Sequence, residues 1–243
     1  MAAGLVLLEP AAGDPVAMAA QLNVADANVF SGTPAVGALF YRQDGRLTHF
    51  CTASVLRSRN QNLLVTAAHC LLGKSLAGLM FAPGYHDGTY PYGRWVIRGA
   101  YTDRAWQAHQ DPDDDVAFLV AGQRGRRIQR YTGGETLVTR SRLPEQVRVV
   151  GYPDGSGMPV FCDAPARPFD RFHLWQMVFF CTDYTNGTSG GPFLAHVSGA
   201  TGAGQIIGVI GGYEDGGDTP SVSYSPRFGG AIAALFRRAE AGS

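Results

Sequence analysis

The sequence predicts an all-β fold made of many short strands. The chain has 32 glycines and 14 prolines among 243 residues, a composition that suits short strands joined by turns rather than a helical bundle. Short apolar segments recur along it, and clusters of turn residues separate them. The length allows one large β domain or two small ones, and a hydrophobic content of 45% is sufficient for a real core.

The first half of the chain contains about six predicted strands. An Asp-Gly turn at Asp44 and Gly45 joins the first two strands as a hairpin, and the third strand leads directly into His69. A loop rich in glycine, tyrosine and proline follows the fourth strand. The predicted strands cover residues 35–41, 49–56, 63–66, 78–83, 94–98 and 116–121.

A polar stretch, residues 122–134, is the predicted crossover to a second set of strands. It holds four arginines, Arg124, Arg126, Arg127 and Arg130. Arginines would also suit nucleic acid or a carboxylate, but interspersed glycine and tyrosine in a neutral protein favour a solvated crossover. The strands predicted beyond it cover residues 135–138, 146–150, 158–161, 174–180, 192–196, 205–212 and 222–228.

The two ends of the chain differ from this β pattern. Ile232, Leu235 and Phe236 recur at helical spacing, so residues 229–243 are expected to hold a closing amphipathic helix. Residues 1–28 are expected to form an N-terminal arm or the remnant of a pro-segment, with an ordinary packed extension as the alternative. No signal peptide is evident, because the initial apolar run is short and lacks a basic start.

The bulk charge and the histidine spacing argue against several partners. Twenty basic residues balance twenty acidic ones, so neither nucleic acid nor an anionic membrane is indicated, and the apolar runs are too short to span a bilayer. The histidines lack metal-ligand spacing, and no cofactor is implied. Asp111, Asp113 and Asp114 offer oxygens to calcium, but without an EF-hand pattern a solvated loop is the favoured interpretation.

Four cysteines suggest two local disulfides. Pairing Cys51 with Cys70 would tie a strand to the turn that carries His69, and pairing Cys162 with Cys181 would close a hairpin. The first closure would stabilise the fold by about 3 kcal/mol in the chain-entropy model. Four cysteines allow three pairings, so the sequence leaves the others open. Disulfides imply an oxidising compartment, and we therefore expect a secreted protein.

The stretch from Thr185 to Leu194 has the features of a nucleophile turn. Ser189 stands in Gly-Thr-Ser-Gly-Gly-Pro, a glycine-rich turn that precedes an apolar strand. Such a turn can expose a hydroxyl beside backbone N–H groups. The N–H groups of Gly187 and Ser189 would then stabilise the oxyanion that forms during acyl transfer.

A base and an orienting carboxylate precede this turn in the sequence. His69 ends an apolar strand in Thr-Ala-Ala-His-Cys, and Asp115 follows two further aspartates and directly precedes Val-Ala-Phe-Leu. The separations of 46 and 74 residues give the order His, Asp, Ser. Any one of these residues alone would be interpreted as a turn, core or capping residue. Asp115 is preferred over its neighbours because the following strand fixes it.

With these motifs in register, the chain resembles the trypsin/chymotrypsin-like serine peptidases. The Gly-Thr-Ser-Gly-Gly-Pro variant, with Gly151-Tyr152-Pro153 before it and Ser223-Tyr224-Ser225 after it, is similar to secreted bacterial enzymes of the glutamyl-endopeptidase-like branch. The resemblance implies two antiparallel six-stranded Greek-key barrels, residues 29–125 with His69 and Asp115 and residues 126–228 with Ser189. Strand counting alone would also allow a sandwich.

The resemblance also places the pocket for the substrate side chain before the scissile bond, the S1 pocket. It maps to Asp183, Tyr184 and Thr185 on one side and to Gly211, Gly212 and Tyr213 after Ile210 on the other. Asp183 precedes the serine by six residues, as the aspartate of basic-specific members does, although a solvent-facing turn residue is the alternative. Glutamate-specific members have a histidine where this chain has Ile210.

These observations predict a secreted, monomeric serine endopeptidase that acts on polypeptides. Two other functions use the same residues: a catalytically silent scaffold that binds a partner, and an esterase. The intact triad motifs favour the enzyme. Thr188 stands where trypsin-like zymogens have an aspartate that pairs with a new N-terminus. The nucleophile loop is therefore expected to be organised by its own packing and by the closure between Cys162 and Cys181.

Overall fold

A computed structural model describes residues 24–123 and 125–242 of this chain. Most of the predicted N-terminal arm and Arg124 lie outside the described residues. Within them the strands are β1 (Asn28–Val29), β2 (Val36–Gln43), β3 (Arg46–Val55), β4 (Leu63–Thr66), β5 (Leu79–Pro83), β6 (Trp95–Thr102), β7 (Ala117–Gly122), β8 (Thr136–Leu137), β9 (Glu145–Gly151), β10 (Val160–Phe169), β11 (Gln176–Phe180), β12 (Pro192–Ala195), β13 (Gln205–Val209) and β14 (Val222–Pro226).

The helical segments are short, apart from the last. They are α1 (Arg104–His109), α2 (Gln129–Thr132) and α3 (Gly230–Ala241), with 3-10 turns at His69–Leu71, Leu76–Gly78, Pro112–Asp114 and Tyr213–Gly216. The closing helix is thus confirmed, and the other helices were not predicted. No helix in the described part of the chain is long and apolar enough to cross a membrane.

Six strands close into an antiparallel barrel in the order β2-β3-β4-β7-β6-β5. They correspond to the six strands predicted in the first half. Inward-facing side chains fill the barrel, and Leu39, Phe81, Trp95 and Leu119 are fully enclosed in it. The continuous apolar runs of β4 and β7 reflect burial on both faces, and these two strands pair from Leu63 to Thr66.

The second half forms an eight-stranded sheet, and here the structure differs from the expected second closed barrel. Its order is β14-β11-β10-β9-β12-β13-β8, and β1 pairs with β10. The two-residue strand β8 pairs in parallel with the beginning of β13. Gly211, just beyond β13, donates its N–H to Tyr224 of β14. Since β8 occupies part of the β13 edge, β14 reaches only the far end, and the sheet does not close. The all-β class is nevertheless confirmed.

An apolar cluster joins the barrel, the second sheet and α3. It combines Phe118 of the barrel with Leu194 and Ile206 of the second sheet, and with Ile232 and Leu235 of the helix. These side chains are at most 2% exposed, so α3 closes a core to which both halves contribute. The domain boundary predicted between residues 125 and 126 stays a prediction.

The structure contains both predicted disulfides. Cys51 on β3 is bonded to Cys70 in the turn after β4, and Cys162 on β10 is bonded to Cys181 just beyond β11. The first therefore links a barrel strand to the turn that contains His69. The second joins two neighbouring strands of the second sheet just before the nucleophile loop.

Glu135 is a buried acid at the junction between the two halves. Its backbone N–H donates to Val55 and its carbonyl accepts from Arg57, both at 2.8 Å, so it is fixed to the end of β3. One carboxylate oxygen accepts the N–H of Gly204, whereas the other has no partner among the described residues. Burial is the main reason that the pKa of Glu135 is raised to about 7, against the smaller opposing effects of Gly204 and Arg57.

We expect this acid to destabilise the fold as the pH rises. Between the ordinary pKa of glutamate and pH 7 the native state keeps a proton that the unfolded state has lost, so the free energy of unfolding decreases with pH. The full loss is about 3 kcal/mol. Glu135→Gln should remove this dependence and stabilise the protein at pH 8, as measured by urea unfolding across pH 4–8.

Glu145→Gln, at a half-buried acid on β9, is the matched control for this substitution. It should leave the pH dependence of stability as it is in the wild type. Equal slopes for Glu135→Gln and the wild type would contradict the assignment of this dependence to Glu135.

Candidate active site

Asp115 and His69 form a directly hydrogen-bonded pair at the rim of the barrel. The ring Nδ1 of His69 lies 2.7 Å from the Oδ2 of Asp115, and because a carboxylate can only accept, Nδ1 carries the proton. The backbone N–H of His69 donates to Oδ1 at 2.8 Å, and the N–H of Gly212 donates to Oδ2 at 2.7 Å. Asp115 is fully buried, so three donors stabilise its charge.

The neighbouring aspartates have different surroundings. Asp113 accepts from the N–H of Trp175 and the side chain of Gln176. Burial, together with the charges of nearby aspartates, raises the pKa of Asp114 to about 6. Of the three consecutive acids, Asp115 is therefore the one that contacts the histidine, which is the choice made from the sequence.

Opposing effects act on the pKa of the His69 ring. Burial disfavours the imidazolium and is the largest single influence on the pKa of His69. The hydrogen bond and charge of Asp115, together with the charge of Asp215, outweigh it, while Lys74 acts with burial. The net result is that the pKa of His69 is raised above its ordinary value, which makes the ring a stronger base.

Ser189 lies in the turn before β12 and lines the same cleft as His69. Its carbonyl accepts the N–H of Thr52, on β3 of the barrel, at 2.7 Å. Neither its own N–H nor that of Gly187 has an acceptor among the described residues. Two unpaired donors beside a serine at the cleft are the arrangement that an oxyanion requires.

Several residues that the sequence did not single out hold this loop. The buried Thr52 donates its hydroxyl to the carbonyl of Gly187 and accepts the N–H of Tyr152, each at 3.0 Å. Nδ1 of His49 lies 3.1 Å from Oδ1 of Asp154 next to the loop, and the N–H of Asp154 donates to the carbonyl of Asn186. A threonine within a strand and a pair separated by about a hundred residues leave no local signal in a sequence.

Thr188 is bonded within the loop itself. Its hydroxyl donates to the carbonyl of Thr185 at 2.8 Å, and its own carbonyl accepts the N–H of Gly191. The side chain is almost fully buried. This agrees with the expectation that local packing organises the loop.

The predicted S1 residues are brought together only in part. Tyr184, Thr185 and Ile210 line a cleft of about 740 Å³ with His69 and Ser189. Asp183 does not line it, because its backbone is left-handed, with φ of 68°, and its side chain lies exposed beside Thr182. The proposed role of Asp183 in the pocket is therefore not supported by its position.

The residues predicted after Ile210 also differ from expectation. Gly211 and Gly212 contact Asp115 rather than the cleft, and Tyr213 packs against three aromatic rings, Phe169, Phe172 and Tyr224. The cleft is lined instead by Glu214 and Asp215 of the following turn, by Asp218 just beyond it, and by Asp154. The acidic character of this wall was not predicted.

Comparison with known families identifies the chain. The family model of the trypsin-like peptidase domain matches residues 51–209, which are more than half of this chain. The chain therefore belongs to the trypsin-like peptidase family. The matched range includes His69, Asp115 and Ser189.

Solved structures share this fold. Protease Anisep from Arthrobacter nicotinovorans has a TM-score of 0.76 at 22% identity over 89% of this chain and 100% of that one. The thermostable serine protease AL20 from an extremophilic microorganism has a TM-score of 0.74 at 24% identity, over 87% and 99%. A Glu endopeptidase in complex with MPD has a TM-score of 0.69 at 16% identity, over 90% and 99%. At these identities the likeness concerns the fold alone.

A curated relative is named an extracellular metalloprotease, from Bacillus subtilis (strain 168). It is 27% identical over 157 residues, which are 62% of this chain and 48% of the relative. The chain thus spans about half the length of this relative.

The residues that the structure describes do not fit a metal of the kind that name implies. Two groups of potential ligands converge among the described residues, Cys51 with His69 and Cys70, and His69 with Asp115 and Asp215. The cysteines are joined in a disulfide and offer no thiolate. In the second group Nδ1 of His69 holds a proton toward Asp115, whose oxygens already accept three hydrogen bonds.

A substitution at Gly187 tests the geometry of the loop that contains Ser189. Its φ is 90°, and a Cβ there would lie 2.5 Å from Asp154 Oδ1 and 2.6 Å from the Tyr152 carbonyl. Gly187→Ala should therefore shift the loop, displace the N–H that is predicted to bind the oxyanion and lower turnover by about 100-fold. The measurement is kcat on a peptide substrate together with thermal unfolding.

Gly155→Ala is the matched control, because Gly155 has φ of 75° but nothing within 4 Å of its would-be Cβ. It should cost about 1 kcal/mol of stability from backbone strain and leave turnover nearly unchanged. Equal effects of the two substitutions on turnover would refute the role of close packing around Gly187.

Proposed function

We propose that this protein is a serine endopeptidase in which Ser189 attacks the substrate, His69 transfers its proton and Asp115 orients the ring. The observation that carries the proposal is the hydrogen-bonded pair of Asp115 and His69 in one cleft with the glycine-flanked Ser189. The family supports peptide bonds as the substrate.

Each residue has a defined part in the proposed reaction. His69 Nε2 accepts the hydroxyl proton as Ser189 Oγ bonds to the carbonyl carbon, and the N–H groups of Gly187 and Ser189 stabilise the oxyanion. The imidazolium then protonates the leaving amine, which gives an acyl-enzyme. A water molecule repeats the sequence with His69 as base, which releases the acid and restores the serine.

The charge of the cleft gives the proposed substrate class. Four acidic side chains line the cleft: Asp154, Glu214, Asp215 and Asp218. Among the described lining residues, Lys74 is the one lysine or arginine. Acidic side chains in a substrate would be repelled, so we propose that polypeptides with neutral or basic residues around the scissile bond are preferred. Ile210, on the pocket wall, offers no positive charge to a glutamate.

We also propose that the protein acts outside the cytoplasm, as expected from the sequence. Its two disulfides would persist in an oxidising compartment, and the curated relative is named extracellular. The expected monomeric state remains a prediction.

Labelling with a fluorophosphonate tests the nucleophile. The wild type should be labelled and Ser189→Ala should not, whereas Ser198→Ala, at a serine in the turn beyond β12, should be labelled like the wild type. A peptide library should then show cleavage, with acidic residues rare at the cleavage sites.

The outcomes separate the three candidate functions. Absence of labelling in correctly disulfide-bonded protein would favour a silent scaffold. Labelling with ester turnover but no peptide cleavage would favour an esterase.

Removal of residues ahead of Val24 tests how the nucleophile loop is organised. Because Thr188 cannot pair with a freed N-terminus and is bonded within the loop, turnover should change by less than about 3-fold. By contrast, Thr52→Val deletes one buried hydrogen bond to the carbonyl of Gly187 and another to the N–H of Tyr152, and it should lower kcat by about 10-fold. An absolute requirement for one particular N-terminus would overturn this expectation.

A further inference from the structure

The turn that follows β13 brings an additional acid to His69. This turn, Tyr213–Gly216, begins after Gly212, whose N–H donates to Asp115. The turn is thus attached to the same carboxylate that orients the histidine. One oxygen of Asp215, one oxygen of Asp115 and one ring nitrogen of His69 all lie within 4.8 Å of one another.

The backbone holds Asp215 in a specific and unusual conformation. Glu214 and Asp215 both have left-handed backbones, with φ of 53° and 51°, an arrangement that costs about 1 kcal/mol or more for each residue. The N–H of Asp215 donates to the carbonyl of Gly212, and the N–H of Tyr213 donates to the side chain of Gln176. The first bond closes the turn and the second fixes it to β11, so the approach of Asp215 to His69 does not depend on a loose loop.

Three charged groups act on the ring of His69. Asp115, which is hydrogen-bonded to the ring, and Asp215, which is close but not bonded, raise its pKa. Lys74 lowers it. Asp215 forms no salt bridge with a lysine or arginine in the described part of the chain. Its charge is therefore not neutralised by a neighbour and faces the ring and the cleft.

We propose that Asp215 is a second carboxylate of the catalytic centre, one that stabilises the protonated ring of His69. It acts through His69 and is a positioning residue. Its consequence for turnover rests on the proposed function. Its effect on the ring does not, because the two side chains are neighbours whether or not a substrate is cleaved.

An NMR titration of His69 measures this effect without any assay of activity. Asp215→Asn keeps the shape of the side chain, and asparagine tolerates the left-handed backbone. At a separation of about 5 Å the loss of one exposed charge should lower the midpoint of the His69 titration by about 0.5 pH unit at low ionic strength. In about 0.5 M NaCl the difference from the wild type should shrink to less than half of that.

Glu214→Gln is the matched control, because Glu214 is the adjacent acid, has the same backbone conformation and lines the same cleft. It should leave the midpoint of the His69 titration unchanged. Asp215→Glu, which retains the charge, should have a midpoint close to that of the wild type. Identical midpoints for Asp215→Asn and the wild type, or equal shifts in Asp215→Asn and Glu214→Gln, would overturn the proposal.

The pH profile of kcat/KM then links the ring to turnover. Its acidic limb reports the protonation of His69 in the free enzyme, so Asp215→Asn should move this limb to lower pH by the same amount. A shifted NMR titration in a protein that cleaves no peptide would reject the proposed function and leave the role of Asp215 intact. Peptide cleavage with an unshifted titration would support the proposed function and reject the role of Asp215.

Discussion

The buried charge of Asp115 is the constraint on which the site depends. A buried carboxylate that loses its donors destabilises a protein by several kcal/mol, so all three of its hydrogen bonds must be present together. Two come from His69 in the barrel, and the third comes from Gly212 in the second half of the chain. Separation of the halves would therefore remove the bond from Gly212 and expose the charge. The Asp115 carboxylate therefore both links the two halves and holds the ring of His69.

The close approach of the second half to this carboxylate requires a residue without a side chain. A Cβ at Gly211 would lie 2.7 Å from Asp115 Oδ2 and 3.2 Å from the side chain of Ala67. Only at that distance can the next residue, Gly212, donate its N–H to the carboxylate. The turn that follows then carries Asp215 toward His69, so one backbone contact determines both the orientation of the base and the charge beside it.

The sequence predicted those features that depend on local patterns. The strands of the barrel follow from apolar runs between turns, and the three motif residues follow from their spacing. Thr52 and Asp215 were missed because their roles arise from contacts between distant segments. Asp183 was placed in the pocket by its offset from Ser189, but a left-handed backbone directs its side chain to the surface. The open second sheet depends on where β8 pairs, and a two-residue strand has no recognisable pattern.

The base and the nucleophile loop are held by adjacent residues of one strand, although they belong to different halves of the molecule. Cys51 on β3 is bonded to Cys70, next to His69, and Thr52 bonds the carbonyls of Gly187 and Ser189. A misplacement of about 1 Å between reacting groups can cost a factor of about 100 in rate. Because both attachments lie on β3, the separation of His69 from the loop is set within the barrel. The bonds to Thr52 oppose small movements between the halves, so β3 holds the loop that contains Ser189 beside His69.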